Sequence, residues 1–130
     1  MALMIPQREG IPVTLTWDLT PVFPSDQHWE ETFAATEQQL PALKVVQGTL
    51  GRSAQDLYEG LRRRDDISAV VDRLNEYAGR RHCADMTDTH SQALSGRASS
   101  LAAAFDGATA FFNARDPGDP SRSPARLLRR

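Results

Sequence analysis

The chain has 130 residues, of which 40% are hydrophobic and 25% charged, and its formal net charge is −2. This is the size and composition of one globular domain, and so small a net charge gives no bulk attraction to nucleic acid. The longest apolar runs have five residues, as at 101–105, and are far shorter than the roughly 18 residues that a membrane-spanning helix needs. A lone Cys83 cannot form an internal disulfide. We therefore expect a cytoplasmic protein that binds neither membrane nor nucleic acid.

Residues 1–25 are predicted to form an extended arm. Four prolines in this segment each bias the preceding residue towards extended geometry. Apolar residues alternate with threonines over 13–17, which fits one short strand, but no partner strand is visible. Packing along a helical surface is therefore favoured. Trp17, Leu19 and Phe23 are expected to lie on the bundle, because three large apolar side chains would otherwise remain in water.

From Asp26 onward the apolar residues recur with the period of a helix. Ser25 or Asp26 can cap the first turn of this predicted helix one. Pro41 lies inside it, so we expect a kink or a break near 37–41. The apolar face recurs at steps of three, four or seven: Trp29, Phe33, Leu40, Leu43 and Val46.

Three more helices are predicted from caps and apolar spacing. Ser53 can cap a short helix two that ends at Arg64, and Asp65 or Asp66 can cap a helix three that ends near Asp85. Helix four follows a cap at Asp88 or Thr89. The apolar stripe of helix three contains Ile67, Val70, Val71, Leu74, Tyr77 and Ala78, with His82 as a further candidate. That of helix four contains Leu94, Ala98, Leu101, Phe105, Ala108 and Phe112.

The predicted fold is all-α: an antiparallel bundle of about four helices in residues 26–115, preceded by the extended arm. Residues 116–130 hold three prolines and four arginines, a composition that cannot bury a core. We predict that this Arg/Pro/Ser tail is disordered.

Candidate catalytic and metal-ligating residues are sparse. His28, His82, Cys83 and His90 are the classical nitrogen and sulfur ligands, and no two histidines are four residues apart, as His-Glu-x-x-His requires. Cys83 adjoins His82, but adjacent helical residues point in different directions. We predict no catalytic residue, no metal site and no cofactor in this chain. A site assembled from the three histidines by tertiary folding stays open as a minor alternative.

The arm sequence Trp-Asp-Leu-Thr-Pro-Val-Phe-Pro-Ser-Asp, residues 17–26, resembles the start of the oligoendopeptidase F family of thimet-type zinc metallopeptidases. Later landmarks agree in order, including Arg81-His82 and 110–112, so the resemblance covers roughly residues 13–113. The residues that we select as family signature and packing positions are Trp17, Asp18, Leu19, Thr20, Phe23, Trp29, Tyr77 and Phe112.

This resemblance implies that the chain is the helical N-terminal lobe of such an enzyme, truncated before the catalytic domain. Intact members cut oligopeptides with zinc held by His-Glu-x-x-His and a downstream Glu in that later domain. The partners implied are the catalytic domain and, in the parent enzyme, an oligopeptide substrate. Zinc is expected only in a full-length relative, and the chain alone is expected to be no enzyme. Without the catalytic domain its apolar surface would be uncovered, so the chain is expected to self-associate or to be poorly soluble. The alternative is a free-standing helical interaction module that binds a partner through the stripe of helix four.

Overall fold

A computed structural model describes residues 6–113, with side chains to 112, and this part of the chain is helical without any strand. Three α-helices follow one another: α1 (Asp26–Val46), α2 (Ala54–Ala84) and α3 (Thr89–Asn113). Two short 3-10 helices, Arg8–Gly10 and Val13–Leu15, precede them. The predicted disordered tail, 116–130, lies outside the described residues.

Helix α1 begins where the sequence predicts and continues through its proline. The Ser25 hydroxyl accepts a hydrogen bond from the backbone N–H of His28, which satisfies one free donor of the first turn. Pro41 is exposed and lies between buried Leu40 and Leu43, and the helix does not break there. The packing of the apolar face on both sides holds the helix together although proline removes one backbone hydrogen bond.

Helix α2 corrects the prediction of two separate helices, because no boundary exists at 64–66. Ser53 caps the helix as predicted, accepting from the N–H of Asp56 at 3.0 Å, and the helix ends before Asp85. One face runs through the predicted break at steps of four and three: Gly60, Arg64, Ile67, Val71, Leu74 and Ala78. A cap at Asp65 or Asp66 would require the chain to leave the helix and would put this face out of phase.

Helix α3 begins after Asp88, whose carboxylate oxygens accept from the N–H groups of His90 at 3.0 Å and Ser91 at 3.2 Å. Its predicted stripe is buried from Leu94 to Ala108, and Phe112 is half-buried. The three helices pack on one another around a single apolar core. The core contains Phe23, Trp29, Phe33, Leu40, Leu43, Ile67, Val71, Leu74, Tyr77, Ala78, Leu94, Ala98, Leu101 and Phe105.

Among the described arm residues, 6–25, those that pack on this core lie between Leu19 and Phe23. Leu19 and Val22 are half-buried against the core and Phe23 is part of it, as predicted for Leu19 and Phe23. The predicted burial of Trp17 is wrong, because its side chain is 77% exposed. The 3-10 helix at Val13–Leu15 precedes Trp17, whose ring lies beside the guanidinium of Arg80 in α2. Among residues 6–25, the side chains that pack on the core begin at Leu19.

Candidate functional site

The signature sequence of the arm forms a tight local turn. The Asp18 carboxylate accepts from the backbone N–H of Thr20 at 3.0 Å and from its hydroxyl at 2.7 Å. The Leu19 carbonyl then accepts from the N–H groups of Val22 and Phe23. The two hydrogen bonds from Thr20 lower the pKa of Asp18. These side chains bond within the arm, so Asp18 and Thr20 shape the chain that carries Leu19 to the core.

Phe23 and Tyr77 join the arm to α2. Their rings meet edge to face, with centroids 5.5 Å apart and planes at 79°. Arg73 of α2 donates to the carbonyl of Val22 at 2.9 Å, and its guanidinium lies 5.1 Å from the centroid of the Phe23 ring. One arginine therefore holds both the backbone and the aromatic side chain of the arm.

Trp29 of α1 contacts α2 through a buried hydrogen bond. Its ring is fully buried and stacks on Phe33 with centroids 5.0 Å apart. Its indole N–H donates to the carbonyl of Leu74 at 3.0 Å, so the buried polar atom has a partner. This contact fixes α1 beside the second half of α2.

Asp26, in the first turn of α1, connects all three helices. Its carboxylate accepts from the hydroxyl of Tyr77 at 2.7 Å and from the guanidinium of Arg81, both in α2. It also lies 3.0 Å from the Nε2 atom of His90 in α3. A single carboxylate therefore joins the beginning of α1, the end of α2 and the beginning of α3.

The charge of Asp26 is stabilised by these contacts. Partial burial alone would raise the pKa of the carboxyl, but the hydrogen bonds from Tyr77, His90 and Arg81 outweigh burial and lower it. Burial and the hydrogen bond to Asp26 raise the pKa of Tyr77. The carboxylate is therefore ionised, and it accepts hydrogen bonds from three side chains. This arrangement suits a structural crosslink rather than proton transfer.

A second ion pair joins α1 to α3 one turn further along. Arg97 donates to both carboxylate oxygens of Glu30, at 2.5 and 2.8 Å. Its guanidinium also lies 5.2 Å from the Trp29 centroid and 4.5 Å from that of Phe33. The hydrogen bonds from Arg97 lower the pKa of Glu30. Such a bidentate pair over two aromatic rings is a specific contact even at a half-exposed position.

The opposite end of the helices is apolar and closely packed. A Cβ atom on Gly60 of α2 would lie 2.4 Å from Leu50 Cδ2 and 2.9 Å from Val46 Cγ1. The same position is 3.8 Å from the ring of Phe112 in α3, which lies under the guanidinium of Arg64 at 5.3 Å. Phe112 therefore lies far from the other signature residues, at the end where α1 leads into α2.

The histidines do not come together as metal ligands. His28 Nδ1 lies 2.8 Å from the Ser25 hydroxyl, and His90 bonds to Asp26. The Nδ1 atom of His82 is buried and has no partner among the described side chains. Within residues 6–113 no three His, Cys, Asp or Glu side chains are placed to hold a metal ion. The described side chains therefore do not fit a zinc site.

Sequence reasoning missed the polar contacts that join the helices. Arg81 and His90 were not selected as partners of Asp26, and Arg97 was not selected as the partner of Glu30. These pairs are separated by 55 to 67 residues along the chain. The one sequence signal for these contacts was the Arg81-His82 landmark of the family resemblance, which includes a partner of Asp26 but does not identify it as one.

Comparison with known proteins identifies relatives of one kind. The chain is 34% identical over 111 residues to oligopeptidase PepF of Bacillus subtilis, an alignment that covers 85% of this chain and 17% of that protein. It is 31% identical over 110 residues to the chromosomal oligoendopeptidase F of Lactococcus lactis, covering 84% of this chain and 18% of the relative. The group B oligopeptidase PepB of Streptococcus agalactiae is 29% identical over a similar span.

These matches confirm the family resemblance. The chain is similar to one segment of these oligopeptidases, and it spans less than a fifth of their length. No protein-family profile and no solved structure matches it. Among the described residues, none of the helices combines the length and hydrophobicity of a membrane span.

Proposed function

From this relationship we propose that the chain serves as the N-terminal helical lobe of an oligoendopeptidase F-like zinc metallopeptidase. In this proposal the lobe performs no chemistry, and oligopeptide hydrolysis belongs to a zinc-binding catalytic domain on which the lobe packs. The proposed location is the cytoplasm. The proposed architecture is an antiparallel bundle of 26–115 with residues 1–25 as a packing arm.

The observation that carries this proposal is the extent of the similarity. About 85% of the chain aligns with 17–18% of each oligopeptidase, so the matched segment is a small part of a much larger enzyme. The 130 residues contain no His-Glu-x-x-His motif, the zinc-binding element that the resemblance implies for the later domain.

The contacts between helix ends support the antiparallel arrangement. Asp26 at the start of α1 meets Tyr77 and Arg81 near the end of α2, whereas Val46 at the end of α1 lies beside Gly60 near the start of α2. Such neighbours are expected when short connections reverse the chain. They also support a lobe that folds around its own core.

The alternative of a free-standing interaction module depended on an exposed apolar stripe on helix four. The stripe from Leu94 to Phe105 is buried against the other helices, so it is not available to a partner. An interaction module would have to use another surface.

A domain replacement tests the proposal. In a chimaera, the aligned segment of the Bacillus subtilis relative is replaced by residues 1–113 of this chain. Hydrolysis of a fluorescence-quenched oligopeptide is measured for the chimaera, for the intact relative and for a deletion variant that lacks the segment. We expect the chimaera to hydrolyse the peptide and the deletion to be inactive. A folded but inactive chimaera would contradict the proposal.

The isolated chain provides the complementary measurement. We expect no peptidase activity and no stoichiometric zinc, because the histidines are separated in the described fold. Chelator-sensitive turnover by the purified chain would overturn the assignment of the chemistry to another domain.

A further inference from the structure

In the described part of the chain, large exposed apolar side chains are concentrated in the middle of the arm. Val13, Leu15 and Trp17 are 85%, 76% and 77% exposed. The other large exposed apolar side chains of the described region are Val45, Tyr58 and Met86, which are far apart in sequence. Three such side chains within five residues mark an interaction surface better than isolated ones do.

The arm surface is held in place rather than free. The Trp17 ring lies 5.1 Å from the guanidinium of Arg80 in α2, and Arg80 donates to Glu76 at 2.8 Å. The hydroxyl of Thr16 donates to the carbonyl of Val13 at 2.7 Å. Contacts within the chain thus fix an exposed indole whose ring is turned to solvent, which reduces the entropy that a partner must remove on binding.

Charge distribution separates this surface from the outer face of α2. No charged residue occurs over 10–17, whereas the exposed positions of α2 carry acidic and basic side chains along their length. The centres of protein interfaces are depleted in charge and enriched in Trp and Arg. The arm surface has this composition, and the outer face of α2 has that of a solvated surface.

We propose that Val13, Leu15 and Trp17, with Arg80 beneath the indole, form the docking surface for the remainder of an oligoendopeptidase F-like polypeptide. This inference rests on the proposed function and adds the location of the contact and its chemistry, an apolar surface that covers the indole. More than four fifths of each relative lies outside the matched segment, so a large body of polypeptide is available to cover these side chains. Covering them removes apolar area from water, which favours association.

Hydroxyl-radical footprinting of the chimaera described above tests this surface. Oxidation of Trp17, Tyr58 and Met86 is compared between the isolated chain and the chimaera, with buried Trp29 as the internal reference. We expect Trp17 to be oxidised several-fold more slowly in the chimaera, while Tyr58 and Met86 stay as reactive as before. An active chimaera in which Trp17 remains reactive, or in which all three are protected equally, would overturn the docking surface and leave the proposed function standing.

Two further outcomes separate the possible occupants. If Trp17 is already protected in the isolated chain, and sedimentation shows a dimer that Trp17→Ala dissociates, a second copy is the occupant and the inference is wrong. If the chimaera folds but is inactive, the proposed function fails and the inference fails with it.

A matched pair of variants measures the energy of docking. The isolated chain is mixed with the remainder of the Bacillus subtilis relative, and the dissociation constant is measured for wild type, Trp17→Ala and Val45→Ala. Loss of a central Trp weakens binding by about tenfold or more, whereas loss of an isolated exposed Val has little effect. Equal affinities for the three proteins would contradict the inference.

Discussion

The two tryptophans of the chain, twelve residues apart, lie in opposite environments. Trp29 is completely buried, stacked on Phe33 and bonded through its indole to Leu74. Trp17 is mostly in water and contacts the bundle through the guanidinium of Arg80. Trp29 stabilises the fold of the chain, whereas the exposed face of Trp17 can contact another surface. A signature residue can therefore serve either the fold or an interface, and burial distinguishes the two.

The largest expected effect is at Trp29. Replacing Trp29 by Ala removes the ring at the centre of the core and leaves a cavity, so we expect the free energy of unfolding to fall by about 3 to 5 kcal/mol. Urea unfolding followed by circular dichroism measures this loss. Trp29→Phe, which keeps an aromatic ring but removes the hydrogen bond to Leu74, is expected to lose less. Equal losses in the two variants would contradict the role of ring volume.

The apolar end of the packed helices is tested at a glycine. A Cβ on Gly60 would meet Leu50 and Val46 below 3 Å. Apart from its chain neighbours and the backbone of its own helix, no described atom lies within 4 Å of a Cβ on Gly79 of the same helix. Both changes to Ala gain helix propensity, roughly 1 kcal/mol, but only the first overpacks a contact. We expect Gly60→Ala to be less stable than Gly79→Ala by about 1 to 3 kcal/mol. Thermal unfolding of the two variants measures the difference, and equal stability would show that Leu50 and Val46 move aside without cost.

The polar contacts at the other end of the packed helices are tested at Asp26. Asp26→Asn removes the charge that accepts from Tyr77 and Arg81, and we expect a loss of about 1 to 2 kcal/mol at pH 7. The folded pKa of Asp26 is lowered, so the ionised carboxylate stabilises the fold above the unfolded pKa of about 3.9. This contribution is lost as the pH falls through the folded pKa.

The difference in unfolding free energy between wild type and Asp26→Asn should therefore shrink below about pH 4. Urea unfolding between neutral pH and pH 3 measures it. Asp72→Asn, at an exposed position of α2, serves as the control and should leave the pH dependence nearly unchanged. A difference that stays constant to pH 3 would contradict the crosslink.

Local sequence signals predict the helix ends and the buried faces in this protein. Ser53 and Asp88 cap helices as their spacing indicates, because each cap depends on backbone groups only two or three residues away. Asp65 and Asp66 carry the same local signal, but no new helix begins at them. The apolar face of α2 continues through these positions, and its burial stabilises the unbroken helix more than a cap would. Contacts such as Asp26 with His90 depend on how three helices come together, and no local pattern specifies them.

The smallest expected effect is at Trp17. If Trp17 lay on the core as the sequence alone suggested, Trp17→Ala would cost about 3 kcal/mol or more. In the observed position the change removes little more than an exposed contact with Arg80, so the unfolding free energy of the isolated chain should fall by no more than about 0.5 to 1 kcal/mol. Urea unfolding of Trp17→Ala beside Trp29→Ala measures both environments in one experiment. A loss at Trp17 comparable to that at Trp29 would mean that the arm packs on the bundle in solution, and the indole would then be unavailable for docking.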